Sequence, residues 1–382
     1  MTVPQASYPG GPIPYRDFNR LILTAGSPAN PAKNSVLLLH GGGDSPGMNA
    51  ALEGAVIGLG RLGWEPWAVL NGWSGLTDPL GQFVRVTQTQ LNGIRLWPSS
   101  LPGTGVRHKS PIEKIAGVEN PLEIALGHLA KFQGLIVMGG NGSGFVSETL
   151  VAQHSAKIVF IPATVDGDFL STKTLGFDSA VDAGKKSLQA LSATSMSCGK
   201  VMVVEIMGGA SGALALGVAA AGGADYAIVP EVPIDLQQAL YPRIQTALDL
   251  NKNFVIVVGE SADWTNASGE RFLEQGSKGL RPVARKIGEA LAHTIQQECR
   301  VSTQHNAPLH QLRGADPVSS DILGGMVAGL RAAQLVSESK YNVIVPVDVV
   351  PSPTIPLVGF FTDGQSLIHQ LYVGGLWQAL YG

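Results

Sequence analysis

Two carboxylates and a hydroxyl within five residues carry the first chemical signal of this chain. They are Thr164, Asp166 and Asp168 in the run PATVDGD, residues 162–168, directly behind the apolar stretch KIVFI. A strand that empties into a turn of small residues sets such groups at the C-terminal edge of a sheet, where open α/β proteins bind ligands. Acids at i and i+2 suit two jobs there: accepting a proton from a substrate hydroxyl and helping to hold a metal. Asp-Gly-Asp also makes ordinary turns, so the meaning of this run depends on what converges on it.

Three more Gly-rich turns follow apolar runs: HGGGDSPGMNA (40–50), GGNGSG (139–144) and MGGASG (207–212). Glycine lets the backbone approach a phosphate, and a helix beginning just behind it offers free N–H groups and the positive end of its dipole. One such turn is explained by sterics alone. Four in one chain favour a phosphate-handling enzyme. The spacing is not that of a P-loop, because no GxxxxGK[ST] occurs, and the first turn lacks the full GxGxxG dinucleotide pattern.

The elements that must position these turns are short apolar runs bounded by Gly or Pro, at 35–40, 66–70, 134–138, 157–161, 201–206, 225–229, 253–259 and 342–347. Each reads as a strand buried on both faces. Helix-length segments such as NAALEGAVIGLGRLG, PLEIALGHLAKF and DLQQALYPRIQTAL lie between them, which predicts an α/β protein with doubly wound parallel sheets. Eight strands in 382 residues divide better between two Rossmann-like lobes than within one sheet. Residues 1–34, rich in Pro and Gly, read as an N-terminal extension. Hydrophobic residues make up 45% and charged residues 14%, so a large core is expected. A net charge of −3 argues against a broad nucleic-acid or membrane surface. Cys198 and Cys299 lack metal-type spacing and read as reduced thiols of a cytoplasmic protein. The N-terminus does not read as a signal peptide, and no apolar run reaches the roughly 18 residues of a membrane span.

Taken together, Gly42-Gly43-Asp44-x-Pro46-Gly47-Met48-Asn49, Gly139-Gly140-x-Gly142-Ser143 and Pro162-x-Thr164-x-Asp166-x-Asp168 resemble the motifs of the phosphofructokinase family, the bacterial-type ATP- or pyrophosphate-dependent enzymes. Glu205-x-Met207-Gly208, Pro230-Glu231 and His310-x-x-Arg313-Gly314 follow in the family's order, over roughly residues 35 to 330. The resemblance implies two Rossmann-like lobes with the active site in the cleft between them. A donor lobe would comprise 35–175 plus about 314–365, and a sugar-phosphate lobe 176–313 plus about 366–382. It also implies Mg2+-assisted phosphoryl transfer from a nucleotide, ATP first, to the 1-hydroxyl of fructose 6-phosphate. Asp166 would be the base, with Thr164 binding nearby and Asp168 organising magnesium. Gly43, Gly140, Asn141, Gly142 and Ser143 would line the donor side. Met207, Gly208, Glu231, His310 and Arg313 would line the sugar-phosphate pocket. Lys200 would reach the sugar phosphate of a neighbouring subunit in a homodimer or homotetramer.

The chain departs from that pattern at the chemistry. Asn141 stands where the family has an aspartate near the metal, and Gly209 where it commonly has an arginine facing the transferring phosphoryl group. Arg107 and Lys109 are candidate replacement cations on the donor side, and Arg300 a candidate on the sugar side. Glu53 and Ile57 replace the arginines that often bind an effector nucleotide. Gly142 and Ala163, small where pyrophosphate users carry Asp and Lys, favour a nucleotide donor, with ADP and pyrophosphate as alternatives. A catalytically weak paralogue that senses sugar phosphate or nucleotide, or serves as a regulatory subunit, is the competing reading. Plainer roles are expected for several residues: Asp44 as a helix cap, His40 as a core histidine, Glu205 as a structural carboxylate, and the tryptophans as packing groups.

Overall fold

A computed structural model describes residues 31–105, 110–115, 117–169, 172–274, 286–350, 352–361 and 366–382. In chain order its strands are β1 (Ser35–Gly41), β2 (Glu65–Val69), β3 (Phe83–Arg85), β4 (Leu135–Gly139), β5 (Ile158–Thr164), β6 (Leu175–Gly176) and β7 (Val201–Ile206). There follow β8 (Tyr226–Ile228), β9 (Ile234–Asp235), β10 (Phe254–Gly259), β11 (Trp264–Thr265), β12 (Thr303–Asn306), β13 (Val343–Ile344) and β14 (Ile355–Pro356). The helices used below are α1 (Met48–Arg61), α2 (Asn141–His154), α3 (Phe177–Cys198), α4 (Ala213–Gly222), α5 (Ile287–Cys299), α6 (Ser319–Ser337) and α7 (Ser366–Tyr381). Most of the expected N-terminal extension lies outside the described residues.

Each of the eight apolar runs becomes a strand, and they divide between two sheets. The first has the order β14-β13-β5-β4-β1-β2-β3, with β6 beside the end of β5. It is parallel except at its two edges, where β3 and β14 run antiparallel to their neighbours. The second, β12-β7-β10-β8, is parallel throughout. Every residue of β1, β4, β5, β7 and β10 is buried. Helices covering both faces therefore explain runs without polar alternation. Each sheet has its own core. Val203, Ile256 and Val257 pack with Leu188, Leu214 and Leu291 in the second, while Leu38, Ile136 and Val159 pack with Ala51, Ala55 and Ala332 in the first.

The chain weaves between the sheets. Helix α6 and strand β13, late in the sequence, return to the first sheet. The last helix, α7, lies on the second: Trp377 Nε1 donates to the Ala227 carbonyl at 2.7 Å, and Trp377 and Tyr381 meet the Tyr226 ring.

One buried carboxylate ties α3 to α6. The N-cap of α3 is Gly176, which has no side chain to satisfy the free amides of the first turn. Asp321 supplies that acceptor from α6. Its Oδ1 accepts from Gly176 N at 2.8 Å, and its Oδ2 accepts from Ser179 N at 2.9 Å and from the Ser179 hydroxyl. Burial pushes the Asp321 carboxyl above the usual range, against the donors that favour its charged form. Asp321→Ala should therefore cost roughly 3 kcal/mol or more, because it strands buried donors, and Asp321→Asn less. Denaturant unfolding will measure both. A raised folded pKa means that the associated stability is present below the unfolded value and lost as pH rises through the folded one. The stability gap between wild type and Asp321→Asn should accordingly narrow as the pH rises above about 4, the unfolded value.

Candidate active site

The C-terminal ends of β1, β4, β5, β7 and β10 deliver the chemical groups. Strand β4 ends at Gly139, and α2 starts two residues later with Gly140 as its N-cap and no side-chain cap. The amides of that first turn have no partner within the helix. Gly142 is exposed there, with open space where a Cβ would point. Ser143 faces inward and accepts from Trp73 Nε1 at 3.1 Å, which joins the second Gly-rich turn to the segment after β2. Asn141 donates through Nδ2 to Asp168 Oδ2 at 2.5 Å. The position expected to carry a second metal carboxylate thus carries an amide bonded to the first.

Thr164 ends β5, buried, and its Oγ1 accepts from Asp166 N at 3.2 Å, which holds the turn closed. The Asp166 carboxylate is half-buried and accepts from Arg313 Nη2 at 3.1 Å. Arg313 comes from the helical turn His310–Arg313, and its guanidinium lies against the first Gly-rich turn: a Cβ on Gly43 would stand 2.7 Å from Nη1. On the other side of Asp166, a Cβ on Gly209 would stand 3.9 Å from Oδ2. Asp166 is therefore the point where the ends of β1, β5 and β7 and the 310–313 turn meet. The arginine expected among the sugar-phosphate ligands spans Asp166 and the first Gly-rich turn.

Met207 and Gly208 are buried directly after β7. The group that shapes their turn is Glu260, which directly follows β10. Its Oε1 accepts from Gly208 N at 2.8 Å and Gly209 N at 2.5 Å, while Ser261 Oγ donates to the Gly209 carbonyl at 2.5 Å. Sequence reasoning passed over Glu260, although the acid closing NFVIVVGE was the available signal. Glu231 accepts from Gly212 N at 2.8 Å, at the end of the same Gly-rich turn and just before α4. Glu205 is structural: it accepts from Gly288 N at 2.9 Å near the start of α5, and burial raises its pKa. His310 is exposed.

Lys200 does not join this group. It precedes β7, so it lies at the N-terminal edge of the second sheet, about 20 Å along the strand from Met207. Arg300 precedes β12 at the same edge. Arg107 and Lys109 fall outside the described residues.

Asp44 is not a helix cap, because the cap of α1 is Gly47, three residues further on; Asp44 accepts instead from Ser99 Oγ at 2.6 Å. His40 is a core histidine, bonded to Ser100 Oγ at 2.7 Å and held neutral by burial, which lowers its pKa to about 3. Glu53 is buried in an ion pair with Arg95 and accepts from Gly93 N and Arg95 N at 3.2 and 2.9 Å.

Comparison with known proteins agrees with this arrangement. The family model described as Phosphofructokinase matches residues 35–336. An ATP-dependent 6-phosphofructokinase of Thermotoga petrophila is 30% identical over 88% of this chain and 97% of its own. A pyrophosphate–fructose 6-phosphate 1-phosphotransferase of Dictyoglomus thermophilum is 30% identical over 83% of this chain and 93% of its own. Among solved structures, phosphofructokinase from Saccharomyces cerevisiae superposes with a TM-score of 0.70 at 23% identity. That match covers 91% of this chain but 47% of the yeast chain, so the chain spans about half that protein's length. A pyrophosphate-dependent phosphofructokinase from Nitrosospira multiformis superposes with a TM-score of 0.68 at 17% identity. With the family model covering most of its length and relatives matched nearly end to end, this chain belongs to the phosphofructokinase family.

Proposed function

We propose that this protein transfers a phosphoryl group from a nucleotide, ATP first, to the 1-hydroxyl of fructose 6-phosphate, as a cytoplasmic enzyme of glycolysis. The observation that carries the reading is the convergence on Asp166 of the first Gly-rich turn, a guanidinium and the Met207–Gly209 turn. Asp166 takes the proton of the sugar's 1-hydroxyl as that oxygen attacks the donor's terminal phosphorus. The new O–P bond forms as the bridging P–O bond to the departing nucleotide breaks. Arg313 holds the orientation of the Asp166 carboxylate. Its remaining N–H groups face the donor turn, where they can neutralise charge on the moving phosphoryl group and offset the missing cation at Gly209.

The donor side is Gly43, Gly140, Asn141, Gly142 and Ser143, with the α2 amides receiving phosphate oxygens. The open space at Gly142 leaves room for a nucleotide α-phosphate, which favours ATP over pyrophosphate. Asp168 fits a magnesium ion that arrives with the donor, since Mg2+ commonly takes one or two carboxylates and completes its shell with phosphate oxygens and water. No group of three or more His, Cys, Asp or Glu side chains able to hold a metal occurs among the described residues, which leaves the donor phosphates to complete such a site. Magnesium so held would neutralise charge on the donor phosphates. Met207, Gly208, Thr164 and His310 line the acceptor side, and Glu260 shapes it. Residues 35–175 with about 314–365 form the donor half, and 176–313 with 366–382 the acceptor half. Lys200 and Arg300, at the far edge of the second sheet, would bind the sugar phosphate of a second copy in a homo-oligomer.

Assays with fructose 6-phosphate and ATP, ADP or pyrophosphate in turn test this reading. Turnover is expected with ATP, and Asp166→Asn should lower kcat by about 100- to 10,000-fold while the sugar phosphate still binds. A folded wild type that binds fructose 6-phosphate yet turns over with no donor would refute the kinase reading. Glu260→Gln removes charge from the Gly208–Gly209 turn and should raise the KM for fructose 6-phosphate about tenfold, leaving the donor KM within about twofold.

The Asn141–Asp168 hydrogen bond favours a second reading, a weak enzyme acting chiefly as a sensor. Asn141→Asp with Gly209→Arg separates the two. A gain of at least about 100-fold in kcat would mark a donor half that has decayed, and an unchanged rate a donor half that has been rebuilt.

A further inference from the structure

Beyond residue 336, where the family match ends, the chain returns to the donor side of the site. Glu148 of α2, a buried carboxylate, accepts from Gly359 N at 2.6 Å and Phe361 N at 3.0 Å. These bonds set the Phe361 ring against Gly144 in the first turn of α2. A Cβ on that glycine would lie 1.9 Å from Phe361 Cζ, so only glycine admits the ring. The same ring meets Phe169 edge-on, with centroids 5.6 Å apart and planes at 75°. Phe169 directly follows Asp168, stacks on Phe160 of β5 at 6.4 Å, and meets Phe360 at 5.7 Å.

One ring thus touches both supports of the Asn141–Asp168 pair: the first turn of the helix that begins with Asn141, and the residue behind Asp168. Aromatic contacts have narrow preferred geometries, and cores are packed too tightly for a ring to drift. We propose that Phe361, anchored by Glu148, is a positioning residue for the phosphoryl donor. It sets the distance between the α2 amides and Asp168, and so the shape of the phosphate cradle. This inference rests on the reading above only in placing donor phosphates at the start of α2.

The test compares wild type, Phe361→Ala, Phe361→Leu and Gly144→Ala, which pushes the ring away from the other side. Trp73 donates its indole N–H to Ser143 in the first turn of α2. Its 15N-indole resonance, assigned by its loss in Trp73→Phe, reports the position of that turn without any turnover. Phe361→Ala and Gly144→Ala should each shift this resonance. They should also raise the donor KM about tenfold, a fraction of the roughly 100-fold that a 1 Å misplacement can cost. The KM for fructose 6-phosphate should stay within about twofold, and Phe361→Leu should recover most of the loss. An unmoved resonance, an unchanged donor KM, or parallel rises in both KM values would each overturn the proposal. If Phe361→Ala does not fold, Gly144→Ala decides alone. If wild type turns over with no donor, the kinase reading falls separately, and the Kd for MgATP replaces KM beside the Trp73 resonance.

Discussion

The contact between Asp166 and Arg313 joins the two sheets and the first Gly-rich turn at one point. One partner stands on the turn after β5 in the first sheet. The other stands on a helical turn reached through β12 of the second sheet, and it also presses on the glycines after β1. The pair is half-buried, so its net worth to stability is modest, because desolvation offsets much of the attraction. Its value is geometric. A planar guanidinium fixes the carboxylate's orientation. Gly209 makes the arrangement tolerable. With no side chain there, the second Asp166 oxygen stays open toward the turn after β7.

Each half of the site is built by a different means. The Met207–Gly209 turn owes its shape to a charged side chain, Glu260, which satisfies two successive amides at once. Around the start of α2, the shape comes from absent side chains and from packing: open space at Gly142, close approach at Gly144, and an aromatic cluster behind Asp168. Substitution reaches the two in different ways. Backbone amides keep their direction whatever the neighbouring side chain, so an Asn at 141 leaves the free amides of α2 in place while it changes the charge beside them.

Much of this was legible in the residues. Apolar runs without alternation announced parallel strands covered on both faces, and all eight appear. The shorter strands were not legible. Strand β12 is the polar stretch TQHN, mostly exposed, and it is a strand only because β7 offers it an edge. The Asp166 turn could be found because its acids sit behind a strand, and the same signal was present for Glu260. Glu231 accepts from Gly212 N just before α4, a bond that the Pro230-Glu231 match does not announce. Asp44 misled as a helix cap, since the helix it would have capped begins only after Gly47. What no local pattern can disclose is partnership across the chain. The Asp321 cap on α3 spans about 140 positions, and the Glu148 bonds to residues 359 and 361 span more than 200.

The way the chain weaves between its sheets also bears on the order in which they can form. The strands of the second sheet lie within residues 201–306 and are complete before α6 has been made. The first sheet begins at residue 35 but lacks β13 until residue 344. During synthesis, the earlier half must therefore wait, with the strand-edge groups of β5 exposed, while the later half closes. Such a long separation slows closure and leaves an open edge for wrong pairing. Asp321 emerges just ahead of β13, and by capping α3 it draws the growing chain back toward the half still unfinished.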